Sequence, residues 1–168
     1  PTRRSSDLAD KLPCSHLRKG MTAQQIFAEQ LERCGVDYFD VYLLHGLDAA
    51  DAAYAEEMGC FDFLQEQKAL GRIRYTGFSF HDTADVLGGI LSRHPEVDLV
   101  QIQLNYLDWD NPIIQSRACY EVCRKHGKPV LVMEPVKGGT LANIPEKARA
   151  LLNGEAPAHR ALRFAASQ

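Results

Sequence analysis

Polar side chains in this sequence collect at the far ends of its apolar runs. His45 closes the run FDVYLLH (39–45), Ser79 follows RIRYTGF (72–78), Gln101 and Gln103 lie in the upper half of the run at 97–105, and Glu134 closes PVLVME (129–134). An imidazole at such a place can hold or move a proton near neutral pH. Side-chain amides offer donors and acceptors together, which suits a flat carboxamide. A repeat of two puts Leu99, Gln101, Gln103 and Asn105 on one face and Val100, Ile102 and Leu104 on the other. The apolar face must pack under helices, so the amide face points into a barrel or across a sheet toward a ligand. Taken singly, each polar group reads as a partner for a buried backbone group. Four runs showing it at the same end point to a site.

The elements that must carry these residues alternate. After a short apolar run at 8–12, closed by Pro13, Thr22 opens a helix to about Cys34. Thr22 and Gln25 fit a capping box and Gly35 a left-handed helix end. Helices are expected at 56–70, at 83–92 with Asp82 as N-cap, and at 112–126 with Pro112 in the first turn. Further helices are expected at 145–152 and 157–167. With strands at 39–45, 72–78, 97–105 and 129–134, roughly five βα units follow one another. That pattern calls for a parallel sheet with helical crossovers. The strands are nearly continuous apolar runs, as when both faces are covered. A barrel and a doubly wound open sheet fit equally, and both place ligands at the C-terminal strand ends.

Bulk properties narrow the class further. The 168 residues suffice for one domain with a core but are few for a complete (β/α)8 barrel, which needs ~250. A net charge of −3 gives no reason to expect nucleic acid or an anionic membrane surface as partner. No apolar run reaches membrane-spanning length and no secretory h-region is visible. Five scattered cysteines, an odd number, suit a reduced cytoplasmic protein better than a disulfide framework. Residues 1–7 (PTRRSSD) read as a non-native or disordered leader, leaving 8–168 as the domain. Both ends look cut, so the chain is expected to be a piece of a longer protein.

Five segments occur in order: DKLP (10–13), QLERCGVDYFDVYLLHGLD (30–48), GRIRYTGFSFHD (71–82), DLVQIQLNYLD (98–108) and VLVMEPVKGGTL (130–141). Together they resemble the aldo-keto reductase family, in particular its bacterial and archaeal branch whose members often end in a ferredoxin-like segment. The resemblance covers nearly everything after Leu8. It implies an α/β fold, an incomplete (β/α)8 TIM barrel comprising roughly strands 3 to 7. It also implies NADP(H)- or NAD(H)-dependent interconversion of an aldehyde or ketone and its alcohol, without a metal. A 4Fe-4S cluster is implied only for a part beyond this chain. Of the family's catalytic Asp, Tyr, Lys and His, Lys11 matches the Lys and His45 the His. The Asp and Tyr belong to a segment before residue 8. In that reading a lysine ammonium favours tyrosinate, and His45 orients or polarises the carbonyl oxygen. The isolated chain is expected to be inactive.

By the same resemblance, Ser79 and Gln101 match positions that hold the nicotinamide carboxamide. The Asn that often follows the Ser is Phe80 here. Glu134 occupies the place of a residue that often stacks on nicotinamide, and Pro135, Val136, Lys137, Gly138 and Gly139 form the loop that touches the pyrophosphate. Its glycines permit close backbone approach, and Lys137 could meet a phosphate. The loop that would separate NADP from NAD is not in this chain. Cys119 and Cys123, four apart on a helix, read as buried structural thiols. His16, His94, His126 and His159 read as isolated surface residues, and Trp109 either lines a substrate pocket or shields the barrel mouth. The alternative function is a non-catalytic, nucleotide-binding regulatory barrel homologue.

Overall fold

A computed structural model describes residues 7–168; the proposed leader lies outside it except for Asp7. Five strands, β1 (Ala9–Pro13), β2 (Phe39–Leu47), β3 (Ile73–Phe80), β4 (Leu99–Gln103) and β5 (Val130–Met133), form one parallel sheet. Each strand pairs with the next in the chain. This sequential order decides between the two architectures left open above. A doubly wound sheet reverses its strand order and places helices on both faces. Here the order never reverses, and right-handed crossovers then put every helix on the same side. The chain is an α/β protein with the strand order of a partial (β/α)8 barrel.

The core confirms that sidedness. Leu12, Tyr42, Leu44, Phe78, Phe80, Val100 and Ile102 share one sheet face and belong to a single buried cluster. The cluster continues into α1 (Cys14–Leu17), α2 (Ala23–Cys34), α3 (Ala49–Glu57), α4 (Cys60–Ala69), α5 (Ala84–Arg93) and α6 (Ser116–Lys125). Phe27 of α2 is its hub, edge-on to Phe39, Tyr42 and Phe63 at centroid distances of 5.8, 4.9 and 5.7 Å. Each such fully buried ring stabilises the fold by about 1.5–3 kcal/mol. The opposite face carries Lys11, Leu43, His45, Gly77, Ser79, Leu99, Gln101, Gln103, Leu131 and Met133, by strand alternation and register. It is the face that would line a barrel.

Several expected boundaries move, each for a local reason. The capping box at Thr22 and Gln25 and the left-handed Gly35 form as expected. The helix expected at 56–70 begins only at Cys60, after Gly59 at φ 65, and a separate helix that the sequence reading did not include, α3, precedes it at Ala49–Glu57. The helix expected from Pro112 begins only at Ser116. Asn111 Oδ1 accepts the N–H groups of Ile113 and Ile114 in a separate turn, and Gln115 takes φ 53. Asp82 does not cap α5. Thr83 stands at that position, while Asp82 accepts the Ala49 and Thr83 N–H groups. β4 stops at Gln103, so Asn105 leaves the sheet. β3 runs on to Phe80 and includes Ser79.

The last part of the chain holds three short helical turns, a 3-10 turn at Thr140–Ala142, α7 (Glu146–Arg149) and a 3-10 turn at Ala150–Leu152, and then α8 (Pro157–Ala166). Among the described residues no helix is long and apolar enough to cross a membrane.

Candidate functional site

Lys11 pairs in register with Leu43, and His45 lies two residues further along β2, so both side chains stand on the inner face at neighbouring strand ends. They feel one another. Burial is the main cause that lowers the His45 pKa, and the Lys11 charge and His81 lower it further against a smaller opposing pull from Asp10. Burial likewise lowers the Lys11 ammonium, with Asp10 opposing. A second layer fixes the strand that carries Lys11. The buried Tyr42 hydroxyl donates to Gln30 Oε1, and Gln30 Nε2 donates to the Lys11 carbonyl at 2.8 Å.

Directly after His45, β2 slips register. Leu44 pairs with Phe78 and Leu47 with Phe80, so one extra residue is accommodated. Gly46 takes φ 72 there. The bulge returns Leu47 to the helix face, where it is fully buried, and leaves His45 exposed at the rim. Ser79 is fully buried on the next strand. Its Oγ accepts the Gly46 N–H and keeps its own hydroxyl proton to donate.

Ser79 pairs in register with Gln101, so the two stand side by side. Gln101 Oε1 is buried and has no hydrogen-bond partner. An orphaned buried acceptor is uncommon and can take a hydrogen bond from a ligand's donor. The amide nitrogen of a nicotinamide carboxamide is such a donor, so this corner fits the cofactor suggested by the resemblance.

The segment at 134–139 forms a turn directly after β5, as expected for a loop at that strand end. Glu134 is outside β5, which ends at Met133; it is exposed and takes φ 56. Pro135 and Val136 are half-buried in the turn that follows, Lys137 takes φ 49, and Gly138 and Gly139 take φ 57 and φ 92. Lys137 does not present a free ammonium. Its Nζ is 2.5 Å from Asp108 Oδ1, and the Asp108 side chain is 1 % exposed. Burial alone would push the Asp108 carboxyl up. Hydrogen bonds from Lys137, Asn105 and Gln103, with the Lys137 charge, outweigh it and hold the pKa below the usual carboxylate range.

The fold therefore brings Lys11, His45, Ser79 and Gln101 onto one face in consecutive strands, with the 134–139 loop beyond them at the end of β5. Asp108 is a residue that sequence reasoning passed over. It lies inside the segment DLVQIQLNYLD, but its partner Lys137 is 29 residues away. His81 also acts on His45, on whose side strand alternation after Ser79 puts it. Trp109 packs against Tyr120 and Phe164 at 5.7 and 5.6 Å, so it holds α8 in place. His94 is not an isolated surface residue. It stacks on Phe61 at 3.5 Å and bonds Glu56 and Glu96. Cys119 and Cys123 are buried, their thiols pushed up to about 11 and about 12 by burial first and then by neighbouring charge. A cavity of about 850 Å³ lies elsewhere, between α8 and the turns at 140–152. Its lining is mostly apolar and includes none of the expected site residues, so the rim cluster is the better candidate for chemistry.

Known proteins share this fold. The chain is 28% identical over 143 residues to the NADH-specific methylglyoxal reductase of Escherichia coli (strain K12), covering 82% of this chain and 41% of that protein. The holo form of an aldo-keto reductase from Bacillus halodurans superposes with a TM-score of 0.61 at 26% identity, over 83% of this chain and 44% of that one. An aldo/keto reductase from Klebsiella pneumoniae, solved in complex with NADP and acetate, gives 0.60 at 22% identity, over 90% and 52%. The chain thus spans about two fifths to one half of these relatives. The model of the aldo/keto reductase family matches residues 8–166, and the chain belongs to that family.

Proposed function

We propose that the protein carrying this chain is an NAD(P)H-dependent oxidoreductase that interconverts an aldehyde or ketone and its alcohol, with Lys11 and His45 in the catalytic centre. The observation that carries this is their placement on one face of adjacent strands, electrostatically coupled, beside the unpaired acceptor of Gln101. A bound nicotinamide supplies or accepts the hydride. Ser79 and Gln101 hold its carboxamide, and the Glu134–Gly139 loop meets its phosphates. NADP in the Klebsiella structure and NADH in the name of the Escherichia relative support this cofactor class.

The protein groups divide the remaining work. Partial desolvation and the Lys11 charge lower the His45 pKa and so favour the neutral ring, whose N–H can donate to the carbonyl oxygen. Lys11, partly desolvated, stabilises negative charge on a neighbouring proton donor, which the resemblance identifies as a Tyr outside this chain. The substrate is a small carbonyl compound or alcohol. Five free cysteines suit a cytoplasmic location.

The test is kinetic. The complete reading frame should oxidise NADPH or NADH with short aldehydes, methylglyoxal among them. Lys11→Met and His45→Gln should each lower kcat by about 100-fold or more. The 168-residue chain alone should show no turnover. Wild-type rates in both variants would refute the assignment of Lys11 and His45, whereas a complete protein that binds nucleotide without turnover would favour the regulatory reading.

A further inference from the structure

One buried carboxylate connects the strand that bears Gln101 to the loop read as the phosphate contact. Asp108 Oδ2 accepts Gln103 Nε2 at 2.6 Å and Asn105 Nδ2 at 2.7 Å, while Oδ1 takes Lys137 Nζ at 2.5 Å. The same Asn105 nitrogen donates to the Glu134 carbonyl at 3.1 Å, and Asn105 Oδ1 accepts the Leu107 and Asp108 N–H groups. Gln103 stands two residues after Gln101 on the same face. Every acceptor site in use on Asp108 thus leads either to the amide strand or to the loop.

The loop needs such support. Glu134 and Lys137 are non-glycine residues at φ 56 and φ 49. Left-handed backbone at residues with a Cβ persists only where the surroundings over-determine it. Turn bonds from Lys137 N–H to the Glu134 carbonyl and from Gly139 N–H to the Val136 carbonyl close the loop from within. From outside, Asn105 fixes the first of these residues and Asp108 the second. The ion pair also changes what a phosphate would meet: a lysine held at one position and already charge-compensated.

We propose that Asp108 is the positioning residue of the cofactor loop. Its carboxylate, through Lys137 and Asn105, holds the 134–139 turn in the one shape that receives a nucleotide diphosphate. This rests on reading that loop as a phosphate contact. Asp108 touches no reacting atom, and its effect is on binding rather than on the chemical step.

The experiment uses the complete protein with Asp108→Asn, which keeps shape and loses charge, and Lys137→Met, which breaks the pair from its half-exposed end. Hydrogen exchange by mass spectrometry follows the peptide at 134–141, and fluorescence titration follows NADPH. In Asp108→Asn, exchange at 134–141 should quicken about tenfold while β2 and β3 are unchanged. The NADPH Kd should rise about tenfold with kcat nearly constant. The double variant should bind no more than about twofold worse than the weaker single variant, because the two act through one contact. Unchanged loop exchange in both single variants overturns the proposal. So does quickened exchange across the whole sheet, which marks a general structural role. If Asp108→Asn does not fold, Lys137→Met alone decides by the same two readouts. If the loop loosens as expected but wild type binds no NADPH, the cofactor reading fails and the hold of Asp108 on the loop stands.

Discussion

The Ser79 hydroxyl accepts the Gly46 N–H at 2.8 Å, tying β3 to the bulge that follows His45. Ser79 is fully buried and Gly46 is left-handed, so the bond holds the backbone where the β2–β3 register shifts.

Ser79→Ala should therefore destabilise the protein by about 1–3 kcal/mol, the cost of stranding a buried donor. Urea unfolding should show a lower midpoint with an unchanged slope, and the His45 ring resonances should shift with the bulge. A wild-type midpoint would mean that water replaces the hydroxyl there.

Gly77 faces the inner side of β3 opposite Leu99. A Cβ at residue 77 would lie 2.1 Å from the Leu99 carbonyl oxygen and 3.1 Å from Leu43 Cδ2. The first contact is with backbone, so the β3–β4 pairing itself must shift. Gly77→Ala should cost roughly 1–3 kcal/mol or more, read from guanidinium unfolding. An unaffected variant would show that the strands are further apart at this point.

The His45 pKa gives a pH dependence with a definite sign. An unfolded histidine titrates near ~6.5, and burial, then Lys11 and His81, lower the folded value. Between the two values the unfolded chain binds more protons, so stability rises with pH there. The contribution is whole above the unfolded value and is lost as pH falls through that window to the folded value. Ring titration by NMR should place His45 below the ordinary value. Lys11→Met should raise it part of the way back, since burial remains, and salt should shrink the Lys11 share. A midpoint indifferent to Lys11→Met would dissolve the coupling between the two.

Phe164 anchors α8 by edge-on contacts with Trp109 at 5.6 Å and Tyr106 at 6.1 Å. Each such pair contributes roughly 0.5–1.5 kcal/mol. Phe164→Ala should loosen α8 and red-shift the emission of Trp109, the only tryptophan in the chain, before the sheet unfolds. Coincident loss of both signals would make α8 part of one cooperative unit.

The element order and the site's strand ends were legible in the sequence, because alternation of apolar runs and amphipathic stretches is a local property. The capping box at Thr22 and Gln25 and the stop at Gly35 could be read because both depend on neighbours within one turn. The separate helix α3 before Gly59 and the late start of α6 were harder. A glycine within a helical pattern is not by itself a stop, and the Asn111 turn competes with a proline that reads as a helix start.

Residue types and order alone determined the family, the five βα units, and the placement of Lys11, His45, Ser79 and Gln101 at the same ends of their strands. Only the tertiary structure decided that the sheet keeps one strand order with its helices on one side. It alone showed that the Ser79 hydroxyl serves a bulge and that Lys137 is held by Asp108. Pairings across 29 or 33 residues leave no trace in a local pattern, because the chain pays their loop-closure entropy only when every strand between them has found its register.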